Sequence, residues 1–177
     1  DSTPNYTFSS DQPGTITYGG SCSSVTTSAI SGNTTITLVS LSDGTYSDCT
    51  VTVTDTAGNS VTLNMSSFTV DTTAPSVSSF ILSDTLLKPG DNATVTLVFS
   101  EVVVGFSSDD DITDHPNGTL TAMTSSDNKT WTGTFTPTTG EDWINRFGLG
   151  TSYTDTAGNT GTAATTANYM VDDNNPS

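Results

Sequence analysis

The residues of this chain that could do chemistry are its carboxylates. The chain has nineteen acidic and three basic residues, which gives a formal net charge of -16. Every acidic residue is an Asp except Glu101 and Glu141. Short carboxylates concentrated in turns are typical of calcium-binding extracellular proteins, because Ca²⁺ takes about six to eight oxygen ligands. Asp also suits turns without any metal. That alternative explains the near absence of countercharges poorly, so the composition favours a divalent cation.

Two short motifs recur along the chain. Asp55-Thr56-Ala57-Gly58-Asn59 returns at residues 155–159, which is 100 positions on (155 minus 55), and the stretch 70–75 has its counterpart at 171–176. The chain also opens with Asp1-Ser2-Thr3-Pro4. Pro restricts the backbone and cannot donate to a sheet ladder, so these stretches are typical of stiff joints between β-domains. The sequence predicts domains at 1–71 and 72–172, with 173–177 starting another linker, as in a piece of a tandem array.

Alternating hydrophobicity runs through both predicted domains. Cys49, Val51 and Val53 share one face of a strand in the first domain, and Val95, Leu97 and Phe99 do so in the second. Thr between them favours strands, and Gly, Asn and Asp turns separate the runs. About seven short strands per domain predict an all-β chain of two tandem immunoglobulin-like β-sandwiches joined by a short Pro-containing linker. No helix is predicted.

The two cysteines, Cys22 and Cys49, fall in the first domain. An even count in a Ser- and Thr-rich chain favours a disulfide and an oxidising, extracellular setting over two buried thiols. In antibody-type domains a corner Tyr lies two residues before the second Cys, whereas Tyr46 lies three before Cys49 (49 minus 46). The bridge is therefore either the antibody-type link between sheets, which would need a bulge before Cys49, or a tie from a loop near the second strand to the start of the sixth.

The predicted sandwich topology gathers acids at the joint between the domains. The pole at which the chain enters the second domain carries Glu101, Asp127 and Asp155, beside Asp71 of the joint. The first-to-second and fifth-to-sixth connections place Asp11 and Asp43 at the facing pole of the first domain. Asp71, Glu101 and Asp155 are the predicted Ca²⁺ ligands, with Asp11 or Asp43 reaching in.

By symmetry, Asp1 and Asp55 form half of a preceding site, and Asp172 and Asp173 form half of a following one with Asp84, Asp91 or Asp142. The alternative for Asp55 and Asp155 is that each only caps its tight turn. The triplet at 109–111 is either a further ligand or a solvated loop, and the loop is the simpler interpretation.

Several classes of function are disfavoured. A chain this acidic has no basic patch for nucleic acid or for anionic membranes. No apolar run approaches the roughly 18 residues of a membrane span. The single histidine, His115, sits in a Pro-Asn-Gly turn, and no Cys/His set supports zinc. Glu141 and Asp142 are an acid pair without a substrate cleft nearby, and Trp143 either caps the core or stacks on a sugar. No enzyme is predicted.

Three stretches carry a resemblance to a known family. Asp55-Thr56-Ala57-Gly58-Asn59, Asp71-Thr72-Thr73-Ala74-Pro75 and Val98-Phe99-Ser100-Glu101 resemble the bacterial immunoglobulin-like repeats of giant surface adhesins, which type I systems secrete (the RTX type). The resemblance covers both halves and is closest in the second.

The resemblance implies extender modules strung end to end, stiffened by Ca²⁺ at the joints and holding a distal ligand-binding tip away from the cell. The expected setting is the bacterial cell surface, in adhesion and biofilm formation. The expected partners are neighbouring repeats of the same chain, with no nucleic acid, no membrane insertion and a monomeric state. The alternative is a pair of domains that bind a glycan or a host protein directly.

Overall fold

The computed structural model describes residues 1–114, 118–138 and 144–173. The chain divides into two compact units, Asp1–Thr73 (unit 1) and Ala74–Ser177 (unit 2). Both are β-sandwiches, so the predicted all-β fold with two tandem immunoglobulin-like domains is confirmed. His115, Glu141, Asp142, Trp143 and most of the predicted last linker lie outside the described residues.

Unit 1 is built from eight short strands. They are β1 (Asn5–Ser10), β2 (Gly14–Gly19), β3 (Ser28–Ala29), β4 (Gly32–Thr37), β5 (Gly44–Tyr46), β6 (Thr50–Thr54), β7 (Ser60–Asn64) and β8 (Phe68–Val70). One layer pairs β1 with β4, the other has the order β3-β2-β6-β7, and β5 pairs with β8. Alternate apolar residues turn inward, as Val51 and Val53 do on β6, and pack around Ile36 of β4.

Both chain ends of unit 1 lie at the same end of its sandwich. Near the amino terminus, the Leu41 N–H donates to the Ser2 carbonyl at 2.8 Å. Near the carboxyl terminus, the Thr72 N–H donates to the carboxylate of Asp43, two residues beyond Leu41, at 2.9 Å. Ser2 and Thr72 therefore lie at the same end of this sandwich.

The predicted disulfide is confirmed. Cys22 and Cys49 are bonded, with their Cα atoms 5.2 Å apart. The bridge links the segment after β2 to the residue before β6, and β2 and β6 are neighbours in one sheet. It therefore ties a loop near the second strand to the start of the sixth, and it does not cross between sheets. Tyr46 donates to the Ser42 carbonyl and stacks on Phe68.

Unit 2 contains twelve strands and one helical turn among its described residues. They are β9 (Val77–Leu82), β10 (Leu86–Leu87), β11 (Ala93–Phe99), β12 (Val103–Val104), α1 (Ser108–Asp111), β13 (Ile112–Asp114), β14 (Gly118–Leu120), β15 (Thr130–Pro137), β16 (Ile144–Asn145), β17 (Gly148–Leu149), β18 (Thr154–Asp155), β19 (Ala164–Thr165) and β20 (Tyr169–Val171). The main layers have the orders β14-β15-β11-β9 and β13-β17-β19, and β10 lies parallel to β20.

An aromatic cluster fills the core of unit 2. Phe99, Phe135, Phe147, Tyr153 and Tyr169 are fully or almost fully buried. Their rings make edge, tilted and stacked contacts, such as the edge contact of Phe135 with Phe147, whose ring centroids are 5.1 Å apart. Edge and offset contacts add to the stabilisation from area burial alone. The core of unit 2 holds more buried residues than that of unit 1.

The short helix α1 corrects the prediction of no helix and of a solvated acidic triplet. Asp109 and Asp110 are exposed, but the side chain of Asp111 is only 1% exposed. Its carboxylate accepts from the Ser107 N–H at 2.8 Å and from the Ser152 hydroxyl. A buried carboxylate needs such donors, because an unpaired one is costly to desolvate. Asp111 therefore has a structural role in the sandwich.

Candidate metal centre

Asp155 is held by the loop that it starts. One carboxylate oxygen accepts from the N–H groups of Ala157 (2.8 Å) and Asn159 (2.9 Å), and the other accepts from the Asn159 side-chain amide (2.7 Å). Gly158 takes a positive φ of 92°, which a glycine adopts without strain. Each carboxylate oxygen has about two lone-pair sites, so the oxygen that accepts only from the Asn159 side chain keeps one of them. The loop therefore orients Asp155 without using up its capacity as a ligand.

Asp55 makes the same bonds in unit 1, to Ala57 and to the backbone and side chain of Asn59. Each Asp therefore caps its turn, and the role of Asp55 and Asp155 as metal ligands stays a prediction. Sequence reasoning had not given Asn59 and Asn159 a role, although the identical five-residue repeat was a signal for one. Turn capping is common to the two loops, so any metal binding depends on what surrounds each loop.

Glu101 comes next to Asp155 because of strand pairing. Val103 of β12 pairs with Asp155 of β18, and Glu101 lies two residues before Val103 in the connection from β11. Each carboxylate offers an oxygen that lies within 4.8 Å of an oxygen of the other. Two oxygens bound to one Ca²⁺ at about 2.4 Å can be at most about 4.8 Å apart. The pair can therefore chelate one such ion.

The electrostatics of Asp155 favour its ionised form. Burial acts to raise the pKa of this carboxyl, but the hydrogen bonds from Asn159, Ala157 and Gly158 outweigh it and hold the pKa below its usual value. The side chain is only 2% exposed, and Glu101 beside it is partly buried. Two ionised carboxylates this close repel each other, and a divalent cation removes that repulsion.

The chain enters unit 2 at this same end. The Ser100 N–H donates to the Ser76 carbonyl at 2.8 Å, and the Thr162 N–H donates to the Pro75 carbonyl at 3.3 Å. Asp172, near the other end of the chain, donates its N–H to the Leu87 carbonyl, beyond the far end of β9. In unit 2 the entering and departing segments therefore lie at opposite ends. Asp71, the third predicted ligand, follows β8 in unit 1, and its carboxylate accepts from the Thr73 N–H at 3.1 Å.

Asp127 lies at the pole predicted for it. The Val103 N–H donates to the Asn128 carbonyl at 2.9 Å, so the turn at Asp127 is close to β12 and Asp155. Its carboxylate accepts from the Thr130 and Lys129 N–H groups and from the Ser125 hydroxyl, and these bonds lower its pKa from 3.8 to about 2. This exposed side chain acts as the cap of its own turn.

Asp11 and Asp43 do not share a pole, so that prediction is wrong. Thr15 of β2 pairs with Thr54 of β6, which brings the turn at Asp11 beside the loop at Asp55. Asp43 lies at the opposite end of unit 1. There its carboxylate accepts hydrogen bonds from the N–H and hydroxyl groups of Thr72 and from the Thr73 hydroxyl (2.6 Å). The hydrogen bond from Thr73, followed by that from Thr72, lowers the pKa of Asp43. Asp43 therefore fixes the position of Thr72 and Thr73, the last two residues of unit 1.

The pairing of Asp1 with Asp55 is also wrong. Asp1 lies next to Ser2, which bonds to Leu41, whereas Asp55 lies at the other end of β1 beside Asp11. The reason is that β1 runs the length of the sandwich, from the end that holds Ser2 and Leu41 to the end that holds Asp11 and Asp55. Asp172 lies near β10, where Asp84 and Asp91 bond the N–H groups of Leu86 and Lys88. Its role as a ligand stays a prediction.

Comparison with protein families gives two matches in tandem. Residues 71–171 match one bacterial Ig-like domain model, and residues 1–72 match another. The chain belongs to the bacterial Ig-like domain family. Such domains are commonly extracellular surface modules with structural or adhesive roles. Comparisons with curated proteins and with solved structures give no match. Within the described part of the chain, no helix is long and apolar enough to cross a membrane.

Proposed function

We propose that the chain is a calcium-rigidified extender segment of a bacterial cell-surface adhesin, secreted by a type I system. The observation that carries this function is the pair Glu101 and Asp155, which converge at the end of unit 2 where the chain enters. Asp71 is the proposed third ligand. It is the first residue of the family match to the second domain, and Pro75 follows four positions later (75 minus 71).

The mechanism is mechanical. Ca²⁺ bound by Asp71, Glu101 and Asp155 restrains a short linker that would otherwise leave the domains free to reorient. Asp43 supports this by fixing Thr72 and Thr73, which orients Asp71 from within unit 1. Unit 2 suits an extender, because its chain enters at one end and leaves at the other. The affinity expected for an extracellular calcium module is about 10⁻⁴–10⁻³ M. No catalytic step is assigned.

The test is small-angle scattering of the full chain in millimolar Ca²⁺ and then in chelator. Ca²⁺ is expected to narrow the distance distribution, and Asp71→Ala or Glu101→Gln should abolish the change. Asp84→Asn, an exposed acid remote from the pair, is the matched control and should leave it intact. Identical profiles with and without Ca²⁺ would reject the rigidified extender.

A second function has support from unit 1. The end of unit 1 that holds Asp11 and Asp55 lies opposite the end at which the chain departs through Thr72. A groove of 500 Å³ opens there. This arrangement fits a domain that presents a ligand-binding surface, and a glycan array with the full chain would identify sugar ligands.

A further inference from the structure

The first and last segments of unit 2 lie side by side. We call residues 75–87 and residues 162–172 the terminal pair. Where the chain enters unit 2, the Thr162 N–H donates to the Pro75 carbonyl at 3.3 Å. Towards the other end, β10 of the first segment pairs in parallel with β20 of the last. The two segments therefore run in the same direction, from the entry of unit 2 to its exit.

Backbone hydrogen bonds and buried side chains hold the terminal pair together at the exit. The Met170 N–H donates to the Thr85 carbonyl at 2.9 Å, and the Asp172 N–H donates to the Leu87 carbonyl at 2.8 Å. Leu87 and Val171 are partners in the pairing of β10 with β20, and both side chains are buried. Both segments are therefore anchored in the core at the point where the chain leaves unit 2.

The first segment is also bound to β11. Its strand β9 pairs with β11, and the Ser83 N–H extends this ladder by donating to the Thr94 carbonyl at 2.9 Å. Phe80 of β9 is buried in the core of unit 2. Drawing the first segment out of unit 2 therefore requires sliding it past β11 as well as past the last segment.

We propose that the terminal pair resists the unfolding of unit 2 when the chain is under tension. A pull applied through Pro75 and Asp172 moves the two segments in opposite directions along their length, because the chain enters at one end of unit 2 and leaves at the other. Hydrogen bonds between strands run across the strands. The pull therefore loads all the bonds of the terminal pair together, whereas a pull across a strand pair opens its bonds one after another.

The expected resistance is kinetic. Forced unfolding is governed by the unfolding rate and not by the free energy of unfolding. Contacts that are already broken in the transition state set that rate, and under this pull they are the contacts of the terminal pair. The inference rests on the proposed extender function only for the source of the tension. The resistance itself needs neither Ca²⁺ nor the joint, because both segments lie within unit 2.

The test is single-molecule force spectroscopy of the full chain at constant pulling force, in chelator and then in Ca²⁺. The length of chain released tells the two units apart. Unit 1 has 73 residues, of which the disulfide holds 27 back, so it releases about 17 nm from the remaining 46 (73 minus 27). Residues 75–172 of unit 2 release about 35 nm from 98 residues (172 minus 74).

Two matched variants test the assignment. Leu87→Ala removes a buried side chain from the terminal pair, and Met123→Ala removes one of similar size from the core beyond β14. Both should lower the free energy of unfolding by similar amounts, which urea unfolding checks.

At equal force in chelator, Leu87→Ala should raise the unfolding rate of unit 2 about tenfold or more. Met123→Ala should raise it about twofold or less, because its contacts break only after the transition state. Leu87→Val replaces Leu87→Ala if the latter does not fold, and it should raise the rate about threefold.

Two outcomes would overturn the proposal. One is equal acceleration of unfolding by the variants at Leu87 and Met123. The other is a resistance of unit 2 that vanishes in chelator, which would assign it to the cation site. Identical scattering profiles with and without Ca²⁺ would instead reject the rigidified extender, and the unfolding rates in chelator would still decide on the terminal pair.

Discussion

The loops at Asp55 and Asp155 have the same five residues and the same hydrogen bonds, yet their surroundings differ. Asp155 is buried beside Glu101, while Asp55 is partly exposed at the rim of a groove. The loop only presents a carboxylate. Strand pairing decides which residue lies beside that carboxylate, and therefore whether a second metal ligand is close enough. The five-residue motif by itself does not define a metal site.

The exposed carboxylate of Asp127 gives a pH prediction. Its pKa is lowered from 3.8 to about 2, so the folded state holds the ionised form more strongly than the unfolded state does. The stability from this group is present above pH 3.8 and is lost as the pH falls through about 2. A carboxyl NMR titration should find the low pKa.

Asp127→Asn should reduce the loss of stability in this acid window, because the amide does not titrate. Asp109→Asn, an exposed acid on α1, is the control and should leave the acid profile of unit 2 unchanged. A pKa near 3.8 for Asp127 would contradict the capped turn.

Among the elements, the directions of β1 and β9 show why the two repeated loops lie differently. In unit 2, β9 runs away from the end that holds Ser76, and β11 returns to that end, where Glu101 and Asp155 lie. In unit 1, β1 runs from the end that holds Ser2 to the end that holds Asp11, and the repeated loop at Asp55 lies there.

The disulfide is the main covalent support of unit 1. Cys22 and Cys49 are 27 residues apart, and closing a loop of that length stabilises the folded state by about 3–4 kcal/mol in the chain-entropy estimate. The double variant Cys22→Ala/Cys49→Ala should lower the free energy of unfolding of unit 1 by that amount, measured by urea unfolding. Unit 2 contains no cysteine and its transition serves as the internal control. An equal loss in both units would contradict this assignment.

For the whole molecule, the net charge of -16 means that any salt will screen repulsion, so a specific cation effect has to be separated from screening. A site with a Kd of about 1 mM stabilises the unit that holds it by about 1.4 kcal/mol at about 10 mM Ca²⁺. We expect the unfolding midpoint of unit 2 to rise in Ca²⁺ more than in NaCl of equal ionic strength.

Glu101→Gln should remove this extra rise, and Asp84→Asn should keep it. Hydrogen exchange can assign each transition to its unit. Equal stabilisation by Ca²⁺ and NaCl would show that the acids act only through their summed charge.

Much of the fold could be predicted from the sequence because its signals are local. The alternation at residues 49–54 acts over a few residues, and the structure forms β6 there. Turn capping by Asp55 and Asp155, which the sequence offered as the alternative to metal binding, is equally local. The even number of cysteines in one small domain was also enough to predict the disulfide. The burial of Asp111 was not predicted, because nothing in an Asp-Asp-Asp run shows which carboxylate will be buried.

The arrangement of the turns around each sandwich was decided only by the tertiary structure. Placing Asp11 with Asp43 took β1 as the first strand of a seven-strand sandwich, and pairing Asp1 with Asp55 made the same assumption. Which turns meet depends on how many strands the chain crosses before reaching them, and the pairing of β1 with β4 and of β2 with β6 joins residues far apart in sequence. Adding or omitting one strand reverses the end at which every later turn lies relative to the chain entry. Local residue patterns do not show how many strands the chain crosses before a given turn. Only the pairing of strands in the tertiary structure shows it.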